Sequence, residues 1–252
     1  MLDFNHNKKF YEKANSFIDF GLENENRKQK PRDYLGGSRL GEACKRMLQY
    51  EYFHVPKDPG EDFNGRTLRI FAVGHTFEDL AIKWLRLAAF ELVTEYKDGE
   101  QYGFSTAEGR IKGHADGIIK NAPEKLKMTF PALWECKTMK ASVWKDTVKR
   151  GVILAKPVYA AQMAIYQAYL SSIVPDLWKN PALFTAINKD TEELYHELVP
   201  FDAVLAQRTS DKGVEILRAC DAHELLPRVA TNPGDKECKY CPYRKRCWEG
   251  DV

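Results

Sequence analysis

The sequence predicts an α/β fold in which a mixed sheet is flanked by helices. Two observations carry that expectation. Apolar residues recur at steps of three and four in three separated segments, and short extended runs bounded by turn residues lie between them. Read in order, the elements are helix, strand, strand, strand, helix, strand, strand, helix, with no internal repeat, which suits layers of helix packed on one sheet.

Taken in turn, residues 1–35 are polar and charge-rich and end in NENRKQKPRD, which predicts a short helix followed by an exposed connection and assigns no chemistry to the segment. From Arg66 to about Glu91, the residues Ile70, Val73, Phe77, Leu80, Trp84, Leu87 and Ala88 mark the stripe of a half-buried helix. QYGFSTAEGRIKGHADGIIK contains two extended runs around a turn at Glu108-Gly109, and FPALWECKTM adds a third, so a three-stranded unit is expected. Helical spacing returns in KPVYAAQMAIYQAYLSSI. PALFTAINKDTEELYHELVPF then reads as two strands joined by a polar turn near Asn188–Thr191, and a last helix runs from about Asp202 to Leu225, with Pro227 beyond it.

With 252 residues, 44% of them apolar, the chain is long enough for one sizeable core with a small appendage. Its 38 basic and 36 acidic residues nearly cancel, so the average charge says nothing of partners. No run of eighteen apolar residues occurs, and MLDFNHNKKFYEK lacks the apolar stretch of a signal peptide. The expected setting is therefore cytoplasmic, without membrane association. In a reducing compartment, three cysteines spaced C-x2-C-x5-C at 238, 241 and 247 point to a metal or cluster more than to disulfides.

Strand alternation in LWECKTM puts Leu133, Glu135 and Lys137 on one face and Trp134, Cys136 and Thr138 on the other. Asp116, in IKGHADGIIK, sits in a run otherwise suited to burial, where an acid needs a partner. Pairing of the two strands would let Asp116 and Glu135 converge on a divalent cation, with Lys137 beside a bound water, the parts of a phosphodiester hydrolysis site. His114 is expected to share a strand face with Asp116, in reach of phosphate or in a packing role, and Glu78 lies one helical turn from His75.

These residues carry a resemblance. Gly74-His75-x-x-Glu78 on a helix, then GHAD, then ECK, then Gln162 and Tyr166 on a following helix resemble, in order and spacing, the PD-(D/E)xK nuclease superfamily in its RecB-like branch. The resemblance implies a restriction-endonuclease-like fold and an Mg2+ or Mn2+ ion held by Asp116, Glu135, the His75 imidazole and the Cys136 carbonyl. It further implies that Lys137 activates the attacking water and that Gln162 and Tyr166, one turn apart, line the DNA groove near the metal.

GGSRLGEACKRMLQYEY, where a serine is expected to begin a helix, resembles the entry segment of RecB-like nucleases with a 4Fe-4S cluster, such as CRISPR-associated exonucleases and AddB-type subunits. In those families one cysteine precedes the core and three follow it, which implies Cys44, Cys238, Cys241 and Cys247 as ligands. Such ligation would staple the two ends of the core across about two hundred residues, while four thiolates also suit Zn2+. Cys136 and Cys220 remain as packing residues. The resulting division is a polar segment 1–35, a helical part 36–65 holding Cys44, a nuclease core 66–230 and a cluster segment 231–252.

Lys137, Lys140, Lys145, Lys149, Arg150 and Lys156, opposed only by Asp146, lead from the ECK strand toward the Gln162 helix, as expected for contact with phosphates. Trp144 among them suits either base stacking or core packing. The resemblance implies exonuclease activity mainly on single-stranded DNA ends, with recombination or CRISPR spacer-acquisition proteins as partners. The alternative is a non-catalytic DNA-binding or scaffold subunit.

Overall fold

A computed structural model of the chain describes residues 6–97 and 99–250, with side chains from residue 9 onward. In chain order the elements are α1 (His6–Arg27), β1 (Leu35–Gly36), α2 (Lys45–Tyr52), α3 (Gly65–Leu87), β2 (Glu91–Val93), β3 (Gly103–Thr106), β4 (Ile111–His114) and β5 (Gly117–Asn121). They continue with β6 (Ala132–Met139), α4 (Ala141–Arg150), α5 (Val152–Ala155), α6 (Pro157–Leu170), β7 (Ala182–Asn188), β8 (Leu194–Val199), α7 (Ala203–Asp221), α8 (Lys236–Lys239) and α9 (Arg244–Glu249).

The expected mixed α/β architecture is present. A five-stranded sheet runs β2-β5-β6-β7-β8, with β6 and β7 parallel and the other neighbours antiparallel. A parallel pair needs a crossover, and α4, α5 and α6 supply it. Strand alternation divides the sheet's side chains between two clusters. Leu133, Phe184 and Ala186 join Met163, Ile165 and Leu170 of α6, while Trp134, Cys136, Leu183 and Ile187 join Ala81 and Leu85 of α3.

The expected three-stranded unit is instead two sheets. IKGHADGIIK breaks at Ala115-Asp116, so that β4 pairs with β3 and with β1 in a three-stranded sheet while β5 pairs with β6 in the larger one. Continuous sequence pattern across the break hides it, because each half keeps buried residues, Ile111 and Gly113 in β4 and Gly117, Ile118 and Ile119 in β5. The strands β1 and β2 escape periodicity because they are two and three residues long.

Three helical expectations also change. The stripe expected on α3 is mostly outside the core: Ile70, Val73, Leu80 and Leu87 are exposed, and burial falls on Ala81 and Leu85 with Phe77, Ile82 and Trp84 half-buried. Only the C-terminal half of this long helix covers the sheet. The serine at 38 lies in a three-residue 3-10 turn, and the helix that follows starts at Lys45 with Cys44 as its N-cap, its sulfur accepting from the Met47 N–H at 3.4 Å. Residues 1–35 carry a helix of 22 residues rather than a short one.

Candidate active site and cysteine pocket

Asp116 occupies the bend between β4 and β5, where the chain passes from one sheet to the other. Its Oδ2 accepts the backbone N–H of Cys136 at 2.8 Å, which holds the carboxylate against β6. The antiparallel pairing of β5 with β6, Gly117 opposite Trp134, fixes that register. Glu135 on β6 is fully buried, and its Oε1 accepts from Lys137 Nζ and, at 2.7 Å, from Gln162 Nε2 on α6. Lys137 Nζ also lies 4.0 Å from Asp116 Oδ2.

Glu135 Oε2 is buried without a hydrogen-bond partner. A carboxylate oxygen left unmatched inside a protein carries a desolvation cost that a cation would relieve. Burial, reinforced by Asp116, raises the Glu135 carboxyl, with Lys137 opposing. Burial and then Asp116 push the Glu78 carboxyl up to about 7, again against Lys137. Burial would lower the Lys137 ammonium, but Glu135 and Asp116 outweigh it and hold the lysine protonated above its ordinary range. Three carboxylates around one ammonium leave excess negative charge, which suits a divalent cation.

Asp116, Glu135, Lys137 and Gln162 are thus brought together. Glu78 faces the same group from α3, whereas His75, one turn earlier, is exposed and makes no hydrogen bond to Asp116 or Glu135 among the described residues. His114 is exposed on β4 opposite Gly103, and the strand break after it removes the face it was expected to share with Asp116. Gln162 and Tyr166 do not line an open groove: both are buried, Gln162 directed at Glu135 and the Tyr166 ring edge-on to Phe104 with centroids 5.3 Å apart. A Cβ at Gly113 would lie 2.6 Å from Phe104 and 2.8 Å from Tyr166, so only glycine admits these rings there.

Tyr159, absent from the sequence reading, lies one turn before Gln162 on α6, with Lys137 Nζ 5.5 Å from its ring centroid. An aromatic residue three positions before Gln162 was the available signal. Trp144 is a core residue, half-buried against the main cluster, with its indole N–H donating to the Ala186 carbonyl at 3.1 Å. Of the basic run, Lys140, Lys145, Lys149 and Arg150 are exposed, and Arg150 pairs with Asp146 at 3.2 Å.

A second constellation lies beside the small cluster of Tyr50 and Tyr243. Cys44, Cys238, Cys241 and Cys247 line one pocket with Arg46, Met47, Tyr50, Arg228 and Trp248. All four thiols are free. Burial pushes the Cys241 thiol up to about 11, opposed by a backbone hydrogen bond from Tyr243 and reinforced by the neighbouring cysteines. Arg46 Nη1 lies 3.8 Å from Cys247 Sγ. Four soft donors with arginines beside them suit an anionic thiolate cluster or Zn2+. Among the described residues, no three His, Cys, Asp or Glu side chains are gathered closely enough to hold a metal as they stand.

Hydrogen bonds independent of the thiols already join the two segments. Asp58 is 7% exposed, and its carboxylate accepts the N–H groups of Lys245 at 2.6 Å and Arg246 at 3.1 Å, capping α9. Arg46 Nε donates to the Leu226 carbonyl at 2.6 Å. Cys220, packed in the main core near Gln49, and Cys136, packed under α3, stand apart from the pocket.

No protein-family model matches the sequence, and a search of curated proteins finds no relative. Solved structures do share the fold. The crystal structure of SSO0001 aligns with 95% of this chain and 98% of its own at 18% identity and a TM-score of 0.50. An alkaline exonuclease, LHK-Exo from Laribacter hongkongensis, aligns over 77% of this chain and 90% of its own at 12% identity and a TM-score of 0.50. The same exonuclease in complex with dAMP aligns over 75% and 89% at 13% identity and a TM-score of 0.50. At these identities the likeness is one of fold. No helix among the described residues is long and apolar enough to cross a membrane.

Proposed function

We propose that the chain is a divalent-metal-dependent DNA exonuclease acting mainly on single-stranded ends. The observation that carries this reading is the grouping of Asp116, Glu135 and Lys137, with Lys137 bridging the two carboxylates while the buried Oε2 of Glu135 is left without a partner. The exonuclease fold shared with LHK-Exo supports the same reading.

In this reading Asp116 and Glu135 would hold Mg2+ or Mn2+ with the Cys136 carbonyl as a further ligand and Glu78 facing the ion from α3, while the exposed imidazole of His75 would join them only by turning inward. When bound, such an ion polarises a phosphoryl oxygen and makes a nearby water more acidic. Gln162 donates to Glu135 and would hold its carboxylate in place, and Lys137 would orient and activate the attacking water. The exposed Lys140, Lys145 and Lys149 offer charge to the DNA backbone. Cys44, Cys238, Cys241 and Cys247 would carry a 4Fe-4S cluster, a donor set that also fits Zn2+, and so tie segment 231–252 to the part around residue 44. A recombination or CRISPR spacer-acquisition assembly is the setting proposed for such an enzyme.

An end-labelled single-stranded oligonucleotide incubated with the metal-loaded protein and Mn2+ tests the reading. Shortening from an end is expected. Asp116→Ala, Glu135→Ala and Lys137→Ala should each abolish cleavage with DNA binding retained, the first two losing the ion and the third keeping it. An intact oligonucleotide that is nevertheless bound would identify a non-catalytic DNA-binding subunit.

A further inference from the structure

α1 is amphipathic, but it is mounted with its polar side inward. Asp19 pairs with Arg69 of α3, Glu23 Oε1 accepts the Gly65 N–H at 2.9 Å, and a Cβ at Gly65 would come within 2.5 Å of the Asp19 backbone, so the two helices are in close contact there. The apolar side faces outward: Phe10 is 74% exposed, Tyr11 64%, Phe17 76%, Ile18 52% and Phe20 61%. A helix that packs through its acids and shows five large apolar side chains to solvent has the pattern of an unfilled interface.

The stripe also has an internal order. Phe10, Ala14, Phe17 and Gly21 follow one another at steps of four, three and four, the spacing of a two-helix seam. Among the described residues nothing explains Gly21: it lies inside a helix, where glycine costs roughly 1 kcal/mol against alanine, and a Cβ added there would meet nothing within 4 Å. Its place becomes intelligible against a second α1. In an antiparallel pair with its twofold axis between Asn15 and Ser16, Phe10 faces Gly21 of the other copy and Phe17 faces Ala14, large on small throughout. Tyr11 and Ile18 share one flank of this seam, so that Tyr11 of one copy lies near Ile18 of the other.

We infer that α1 is a self-association surface, and that the chain forms a twofold dimer through an antiparallel α1–α1 seam with Phe10 seated on Gly21 and Phe17 on Ala14. The area agrees. Taking roughly 150–250 Å² for each of these large side chains, five of them exposed by the fractions above present roughly 500–800 Å², close to the roughly 800 Å² per partner of a standard interface. The inference stands apart from the nuclease reading.

Sedimentation velocity on the full chain, from about 0.1 to 50 μM, tests it. The wild type should sediment as a dimer. Phe17→Glu should weaken the dimer by about a hundredfold or more, because twofold symmetry counts each substitution twice. Gly21→Leu should do the same by filling the seat of Phe10, without loss of helix signal in circular dichroism. Leu87→Glu, at a 75% exposed position on α3, should leave the dimer unchanged. A wild type that stays monomeric, a dimer indifferent to both α1 substitutions, or equal dissociation by Leu87→Glu overturns the inference.

Discussion

Gln162 on α6 donates to Glu135 on β6 at 2.7 Å, and it does so at Oε1, the oxygen that Lys137 also meets. Both protein donors therefore crowd one oxygen and leave Oε2 bare. This division holds the carboxylate in a single orientation with its free lone pairs directed away from the protein donors, as a ligand oxygen requires.

Gln162→Leu should weaken Mn2+ binding by roughly ten- to a hundredfold, the usual effect of losing a group that orients a metal ligand. It should also lower stability by about 1–3 kcal/mol, since the buried Glu135 keeps only one donor. Calorimetric titration with Mn2+ and denaturant melts read the two effects separately. Unchanged Mn2+ affinity would show that Gln162 is a packing residue only.

Glu78 gives a pH signature to the metal-free protein. Its folded-state carboxyl is pushed up from 4.5 to about 7 by burial and Asp116. The native state therefore holds the proton more tightly than the unfolded chain does. The stability this group contributes is complete below the unfolded value and is lost as pH rises through about 7. Glu78→Gln should be more stable than wild type at pH 8 and nearly equal to it at pH 4.5, and saturating Mn2+ should reduce the difference at pH 8. Thermal melts across pH 4.5–8 check this; a wild type that gains stability relative to Glu78→Gln on going to pH 8 would contradict it.

For the cysteine pocket, protein purified without oxygen should be brown if iron–sulfur is bound and colourless if zinc is. Alanine at Cys44, Cys238, Cys241 or Cys247 should remove the bound metal and make the C-terminal segment protease-sensitive, because ligation energy is partly folding energy. Alanine at Cys136 or Cys220 should leave the metal in place, as both pack in apolar clusters away from the pocket. Metal analysis of the six variants decides the ligand set, and loss of metal from Cys220→Ala with retention in Cys44→Ala would reverse the assignment.

Much of this arrangement is local and so was legible in the sequence. Strand period put Glu135 and Lys137 on one face, and the long helical and strand segments around α6, β7, β8 and α7 declared themselves by spacing. The C-x2-C-x5-C run singled out three of the four cysteines that line one pocket. What lies between elements was not legible. That the chain breaks at Ala115-Asp116 and changes sheets depends on which neighbour each half pairs with, a contest decided by strands such as β1 that are too short to carry a pattern of their own. Whether Glu78 or His75 faces the carboxylates depends on how α3 is rotated over the sheet, and two residues a turn apart on one helix look alike until that packing exists. The same reason hid α1: its alternation of acid and aromatic reads as polar on average, and only its docking through Asp19 and Glu23 determines that the aromatics are the side left in water.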